Sequence, residues 1–197
     1  MNHTIPAIAL TGNPNSGKTS IFNALTGAKQ HVANYPGITV EIKEGKARSG
    51  EHTAEVIDLP GTYSLTPYSP DEVAARDYLL EQHPDVVIHV VDASNLERNL
   101  YLTTQLMELG VPVLIALNMI DIAEARGIRI DSEGLSQILG IPVIRTVANR
   151  GTGSDELLKK AMSMAIEGAS WVPINLSYGQ SSDDALRILE KKIREVE

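Results

Sequence analysis

The stretch IPAIALTGNPNSGKTS, residues 5–20, decides the fold. Its first half, residues 5–11, is an apolar run of the length of a buried strand. Its second half matches G-x-x-x-x-G-K-[ST] through Gly12, Gly17, Lys18 and Thr19. A strand that turns through glycines into a helix gathers successive N–H groups and the positive end of a helix dipole around one point. Phosphate oxygens fit that point. Gly12, Asn13, Asn15, Ser16, Gly17, Lys18, Thr19 and Ser20 are expected to line the cradle. Lys18 brings a point charge to the β- and γ-phosphates, and Thr19 offers a hydroxyl to Mg2+.

The same alternation continues outward. Strands are expected over residues 5–11, 38–47, 54–59, 86–92, 113–118 and 142–146, and helices over 18–26, 70–81, 96–109, 132–139 and 154–165. VVIHVVD and PVLIALN are nearly continuous apolar runs, as in central strands of a sheet covered on both faces. ITVEIKEGKA alternates, which suits a strand nearer an edge. Strand and helix in turn give an α/β doubly wound, mostly parallel sheet over residues 1–168, with ligands at the carboxyl ends of its strands. After Gly168 the alternation stops. SWVPINLSYGQSS is turn-rich, and DDALRILEKKIREVE reads as a charged helix with Leu186, Leu189, Ile193 and Val196 on one stripe. Residues 169–197 are therefore read as a linker and the first helix of a truncated second domain, or as a helix packing back on the first.

Composition narrows the function. Apolar residues make up 43% of the 197, enough for a packed core. With no cysteine, a disulfide framework, thiolate metal sites and a cysteine nucleophile are excluded. A net charge of −8 argues against an extended nucleic-acid surface, so no nucleic-acid partner is expected. The start MNHTIPAIAL lacks the basic region of a signal peptide, and no apolar run approaches the ~20 residues of a membrane span, so the chain as given is expected to be soluble.

Further motifs follow the cradle in order. VIDLPG carries D-x-x-G at Asp58 and Gly61: Asp58 is placed to hold Mg2+, and the Gly61 N–H to reach a γ-phosphate. Between the two, NYPGITVE carries Thr39, the candidate for a loop threonine that bonds Mg2+ and the γ-phosphate, with an ordinary strand threonine as the alternative. Two loops that gain contacts from one phosphate and lose them on hydrolysis make a switch. LNMID carries N-x-x-D at Asn118, Met119 and Asp121. A carboxylate at Asp121 accepts from N1–H and the exocyclic amine of guanine, and adenine offers neither there. TVANRGTG, around Val147 and Ala148, is placed to present a backbone N–H to guanine O6. The nucleotide expected is GTP, with GDP as its product.

Taken together, GNPNSGKTSIFNALTG, NYPGITVE, DLPGTYSLTPYSPDE, DASNLERNLYLTTQL and ALNMID resemble the amino-terminal G domain of the bacterial ferrous iron transport family FeoB, over residues 4–167. The resemblance implies a Ras-like G domain of the P-loop NTPase fold and GTPase activity. In that family it precedes a helical domain that influences GDP release and a membrane permease for iron(II). It implies a place on the cytoplasmic face of the bacterial inner membrane, and as partners the chain's own helical and permease domains and small cytosolic iron-transport proteins, with oligomers open. It also implies a potassium ion (K+) beside the phosphates, held partly by Asn15 and by the backbone of the loop over residues 32–37; a loop-capping amide is the plainer reading of Asn15. The catalytic set is then Lys18, Thr39, Asn15 and Gly61. The residue after DLPG is Thr62 rather than glutamine, so no amide there orients a water and intrinsic hydrolysis is expected to be slow. Arg98 is read as a helix-face salt bridge and not an arginine finger. Glu72 is read either as a water-positioning carboxylate or as a helix N-terminal acid. The five histidines show no ligand spacing, and His89 in its apolar strand is read as a hydrogen-bonded core residue. Two other readings stand beside the iron-linked GTPase: a GTP/GDP-sensing module without significant turnover, and a soluble ribosome-assembly GTPase.

Overall fold

The apolar runs that end at Gly12, Asp58, Asp92 and Asn118 lie side by side in one sheet. In the computed structural model of the chain the described residues are 5–27, 30–34 and 40–168. The elements are β1 (Ala7–Gly12), α1 (Lys18–Thr26), β2 (Gln30–Asn34), β3 (Glu41–Ser49), β4 (His52–Asp58), α2 (Pro70–Gln82), β5 (Val86–Asp92), α3 (Leu96–Glu108), β6 (Val113–Asn118), α4 (Ile120–Ala125), α5 (Ser132–Leu139), β7 (Val143–Arg145) and α6 (Ser154–Glu167). The sheet order is β2-β3-β4-β1-β5-β6-β7. β1 runs parallel to β4 and β5, and β5, β6 and β7 continue in parallel, whereas β2 and β3 are antiparallel to their neighbours.

Each face of the sheet carries its own core, as two-sided coverage requires. Ala9, Ile57, Val87, Val91, Ile115 and Leu117 pack with Leu79 of α2 and Leu102 and Leu106 of α3. Ile8, Leu10, Val56, Ile88, Val90 and Leu114 pack with Ile21, Phe22 and Leu25 of α1 and Leu157 and Ala161 of α6. All residues of β6 are buried, and all of β5 up to Val91, so neither strand shows alternation. β3 alternates and lies one strand from the edge, as its pattern predicts.

Two elements differ from expectation. β2 pairs antiparallel with β3 and forms the sheet edge; QHVAN is too polar and short to announce itself. α4 is a six-residue helix directly after β6, too short for a periodic signal. Strand β3 begins at Glu41 rather than at residue 38. Thr39, the loop residues 35–38 and the whole unit expected over residues 169–197 lie outside the described residues. No helix among the described residues is long and apolar enough to cross a membrane.

Candidate nucleotide-binding site

The carboxyl ends of the parallel strands meet at one edge, where topology places ligands in such sheets. β1 ends at Gly12 because nothing larger fits: a Cβ there would stand 2.6 Å from the Val90 carbonyl oxygen and 2.9 Å from Ser16 Oγ. The chain then turns, with Ser16 N–H donating to the Asn13 carbonyl at 3.1 Å. Asn15 and Gly17 adopt left-handed backbone, φ 66° and 88°. For Asn15 that conformation costs energy, and such residues gather at functional loops. Its side chain is exposed and forms no hydrogen bond among the described residues, so it does not cap the loop. A cavity of about 390 Å³ lies over Asn13, Pro14, Asn15, Gly17, Lys18, Thr19, Ser20 and Gly61.

Lys18 opens α1 and pairs with Asp58 at the end of β4. Both are mostly buried, so each neutralises the other's charge. A carboxylate that holds an ammonium group is chemically suited to a divalent cation as well, and Lys18 and the exposed Thr19 line the phosphate-loop cavity beside it. Gly61 rests on the phosphate loop: a Cβ there would be 3.6 Å from the N and Cα of Pro14, and the next N–H, of Thr62, donates to the Gly12 carbonyl at 3.1 Å.

At the other end, Asn118 is the strap. Its Nδ2 donates to the Ser16 carbonyl at 2.9 Å, and its Oδ1 accepts from Ala148 N–H at 3.0 Å and from Thr146 Oγ1 at 3.2 Å. One buried amide thus joins the phosphate loop, β6 and the loop after β7. Gly17 is required beside it, since a Cβ would strike the Asn118 amide nitrogen. Met119, with φ 60°, leans its Cε to 3.5 Å from that same Cβ position. Asp121 accepts from Ile122 N–H at 3.0 Å and faces Arg150 at 3.5 Å. A second cavity, about 90 Å³, is lined by Gly17, Ser20, Asn118, Met119, Asp121, Ile122, Val147, Ala148 and Asn149.

Several expectations change here. The Ala148 N–H donates to Asn118 Oδ1, and Val147, Ala148 and Asn149 together line the base cavity. Among the described residues Arg98 makes no salt bridge: its guanidinium stacks 4.1 Å over the Tyr63 ring and pins the chain after DLPG to α3. Gln105 adds a second pin, accepting from Leu65 N–H at 2.9 Å. Glu72 is engaged in a capping box with Ser69 at the start of α2. Thr62 is buried and its Oγ1 donates to the Ser64 carbonyl. His89 is fully buried with Nδ1 3.0 Å from Thr103 Oγ1, and burial pushes its pKa from 6.5 down to about 3. No cluster of three or more His, Cys, Asp or Glu suited to a metal occurs among the described residues. A larger cavity, about 860 Å³, is lined by residues of β1, β2, β3 and β4 with Thr26, Tyr78 and Gln82, and includes none of the expected site residues.

A lysine-bearing phosphate loop after the first strand of a mostly parallel sheet, with D-x-x-G and N-x-x-D at neighbouring strand ends, makes this a P-loop NTPase fold in its G-domain form. Comparison with known proteins carries the assignment to a family. Residues 6–161 match the family model described as ferrous iron transport protein B. A Porphyromonas gingivalis protein, named as a fusion of Fe(2+) transport protein A with the Fe(2+) transporter FeoB, is 52% identical over 195 residues, covering 98% of this chain and 23% of that protein. The cytosolic domain of T. maritima FeoB in a GDP form superposes with a TM-score of 0.93 at 43% identity, covering 98% of this chain and 76% of that one. An S. thermophilus NFeoB variant bound to mGDP gives a TM-score of 0.87 at 49% identity, covering 93% and 70%. The chain belongs to the FeoB family of ferrous iron transport proteins, as its amino-terminal G domain. It spans about a quarter or less of the length of the curated relatives it matches.

Proposed function

We propose that this domain binds and hydrolyses GTP, and that its nucleotide state regulates or drives iron(II) uptake through a membrane permease in the same protein. The observation that carries the reading is the Asn118 strap, which fixes a phosphate loop and a base cavity as one site. Asp121 reads guanine through its two donor groups, and a backbone N–H of the loop around Val147 and Ala148 answers O6. Lys18 leaves Asp58 for the phosphates. Asp58, Thr19 and Thr39 are the set that would hold Mg2+, which neutralises phosphate charge. Asn15, held in left-handed backbone at the cavity rim, would hold K+, which supplies positive charge in place of an arginine finger. Slow intrinsic turnover follows from Thr62, whose hydroxyl is engaged with its own loop. The relatives are named as Fe(2+) transporters, and one is fused to Fe(2+) transport protein A, which supports a permease downstream and a small partner of that kind. A cytoplasmic placement at the inner membrane, and the start of a helical domain over residues 169–197, belong to the same proposal.

The test is GTP hydrolysis with Mg2+ in potassium and then in sodium, for wild type and Asn15→Ala. Potassium stimulation of several-fold or more that Asn15→Ala abolishes is expected. Equal, very slow rates in both salts with nucleotide still bound would remove the potassium role and leave a GTP/GDP-sensing module.

A further inference from the structure

Two cradle residues keep buried side-chain polar atoms without a partner among the described residues, Ser16 at its hydroxyl and Asn13 at both ends of its amide. Asn13 is 3% exposed, and neither its Nδ2 nor its Oδ1 has a hydrogen-bond partner among the described residues. An amide buried with donor and acceptor both unpaired is costly, and native structures keep few such groups without a use. Its backbone is well placed, since its carbonyl accepts from Ser16 N–H. Both of its chain neighbours touch the D-x-x-G turn: the Gly12 carbonyl accepts from Thr62 N–H at 3.1 Å, and Pro14 abuts Gly61. Pro14 has no N–H, so the peptide against Gly61 offers that turn no donor. The side-chain amide of Asn13, one residue away and unpaired, is able to supply one.

We infer that Asn13 is a positioning residue for the γ-phosphate sensor: its amide pairs with the backbone of the turn over residues 60–62 when Gly61 moves onto a γ-phosphate, and stays unpaired with GDP. The inference rests on the reading of the domain as a GTPase and names a further residue of that site. Asn13 lines the phosphate cavity, and the role inferred for its side-chain amide is exerted through Gly61. A bond made in one state only biases the switch toward GTP; at the usual strength of a buried hydrogen bond the bias is roughly tenfold.

The experiment compares the affinities of fluorescent GDP and of a fluorescent non-hydrolysable GTP analogue for wild type, Asn13→Ala and Asn13→Ser, together with hydrolysis in potassium and sodium. Asn13→Ala should weaken binding of the GTP analogue roughly tenfold more than it weakens binding of GDP. Its potassium-to-sodium rate ratio should match wild type, which separates this role from that of Asn15. Asn13→Ser, which keeps a donor, should recover part of the loss, and it carries the same comparison if the alanine variant does not fold. Equal losses for both nucleotides, the mark of a merely structural amide, would overturn the inference, as would no loss for either. Wild-type protein that binds neither nucleotide would overturn the GTPase reading and this inference with it. Wild type that binds both, beside variants without a selective loss, overturns the inference alone.

Discussion

Replacing Asn118 by alanine tests whether one amide holds the two halves of the site together. The side chain is 2% exposed and makes three hydrogen bonds, to Ser16, Thr146 and Ala148. All three bonds are buried, so water does not replace the lost partner easily. At about 1 kcal/mol net for each bond, the truncation costs about 3 kcal/mol. For a domain of this size that lowers Tm by roughly 6–12 °C. The second part of the expectation is more specific. At GDP about 100-fold above its Kd, wild type gains about 2.7 kcal/mol by mass action. The variant, with the phosphate loop and the loop after β7 no longer tied, should gain little at the same concentration. Thermal melts of both proteins with and without GDP and Mg2+ give all four values. A variant that melts within a degree of wild type and shows the same GDP increment would refute the strap. A variant that loses Tm but keeps the full increment would leave Asn118 a packing residue only.

Asp121→Asn should exchange guanine for xanthine, because an amide offers a donor to the C2 carbonyl where the carboxylate accepted from the amine; competition binding with GDP and XDP reads this directly, and retained GDP preference would move base recognition elsewhere. His89 makes stability depend on pH. Its pKa is about 3 in the folded protein against 6.5 as the ordinary value, so the unfolded chain binds the proton first. Its contribution is fully present above pH 6.5 and is lost as pH falls toward 3, with about 2 kcal/mol gone by pH 5. Urea denaturation at pH 7.5 and pH 5 should show that loss in wild type and a shallower one in His89→Gln.

The sheet was legible because burial writes itself into composition. VVIHVVD and PVLIALN are apolar throughout, and β5 and β6 span the expected residues. Lys18–Thr26 was legible for a different reason: the phosphate-loop pattern carries its own helix start. β2 was not, since an edge strand needs no apolar run and takes its register from β3. Within the site, residue types were readable and their partners were not. Nothing in NLER indicates that Arg98 meets an aromatic ring 35 residues earlier in the chain, at Tyr63. Nor does ALNMID say that the Asn118 amide reaches both the Ser16 carbonyl and the Ala148 N–H.

The strap also limits how the two ends of the site can influence each other. The phosphate end consists of the loop after β1 and the turn after β4, which meet through Gly12, Pro14, Gly61 and Thr62. The base end consists of the loops after β6 and β7. Between them stand the first turn of α1 and the bond from Asn118 to the Ser16 carbonyl. Ser16 also donates to Asn13 through its N–H, so a shift at Asn13 reaches Asn118 across a single residue. A double-mutant cycle of Asn13→Ala and Asn118→Ala should therefore depart from additivity by 0.5 kcal/mol or more, on the order of what residues sharing one network show. Additive losses would mean that phosphate sensing and base binding are independent in this domain.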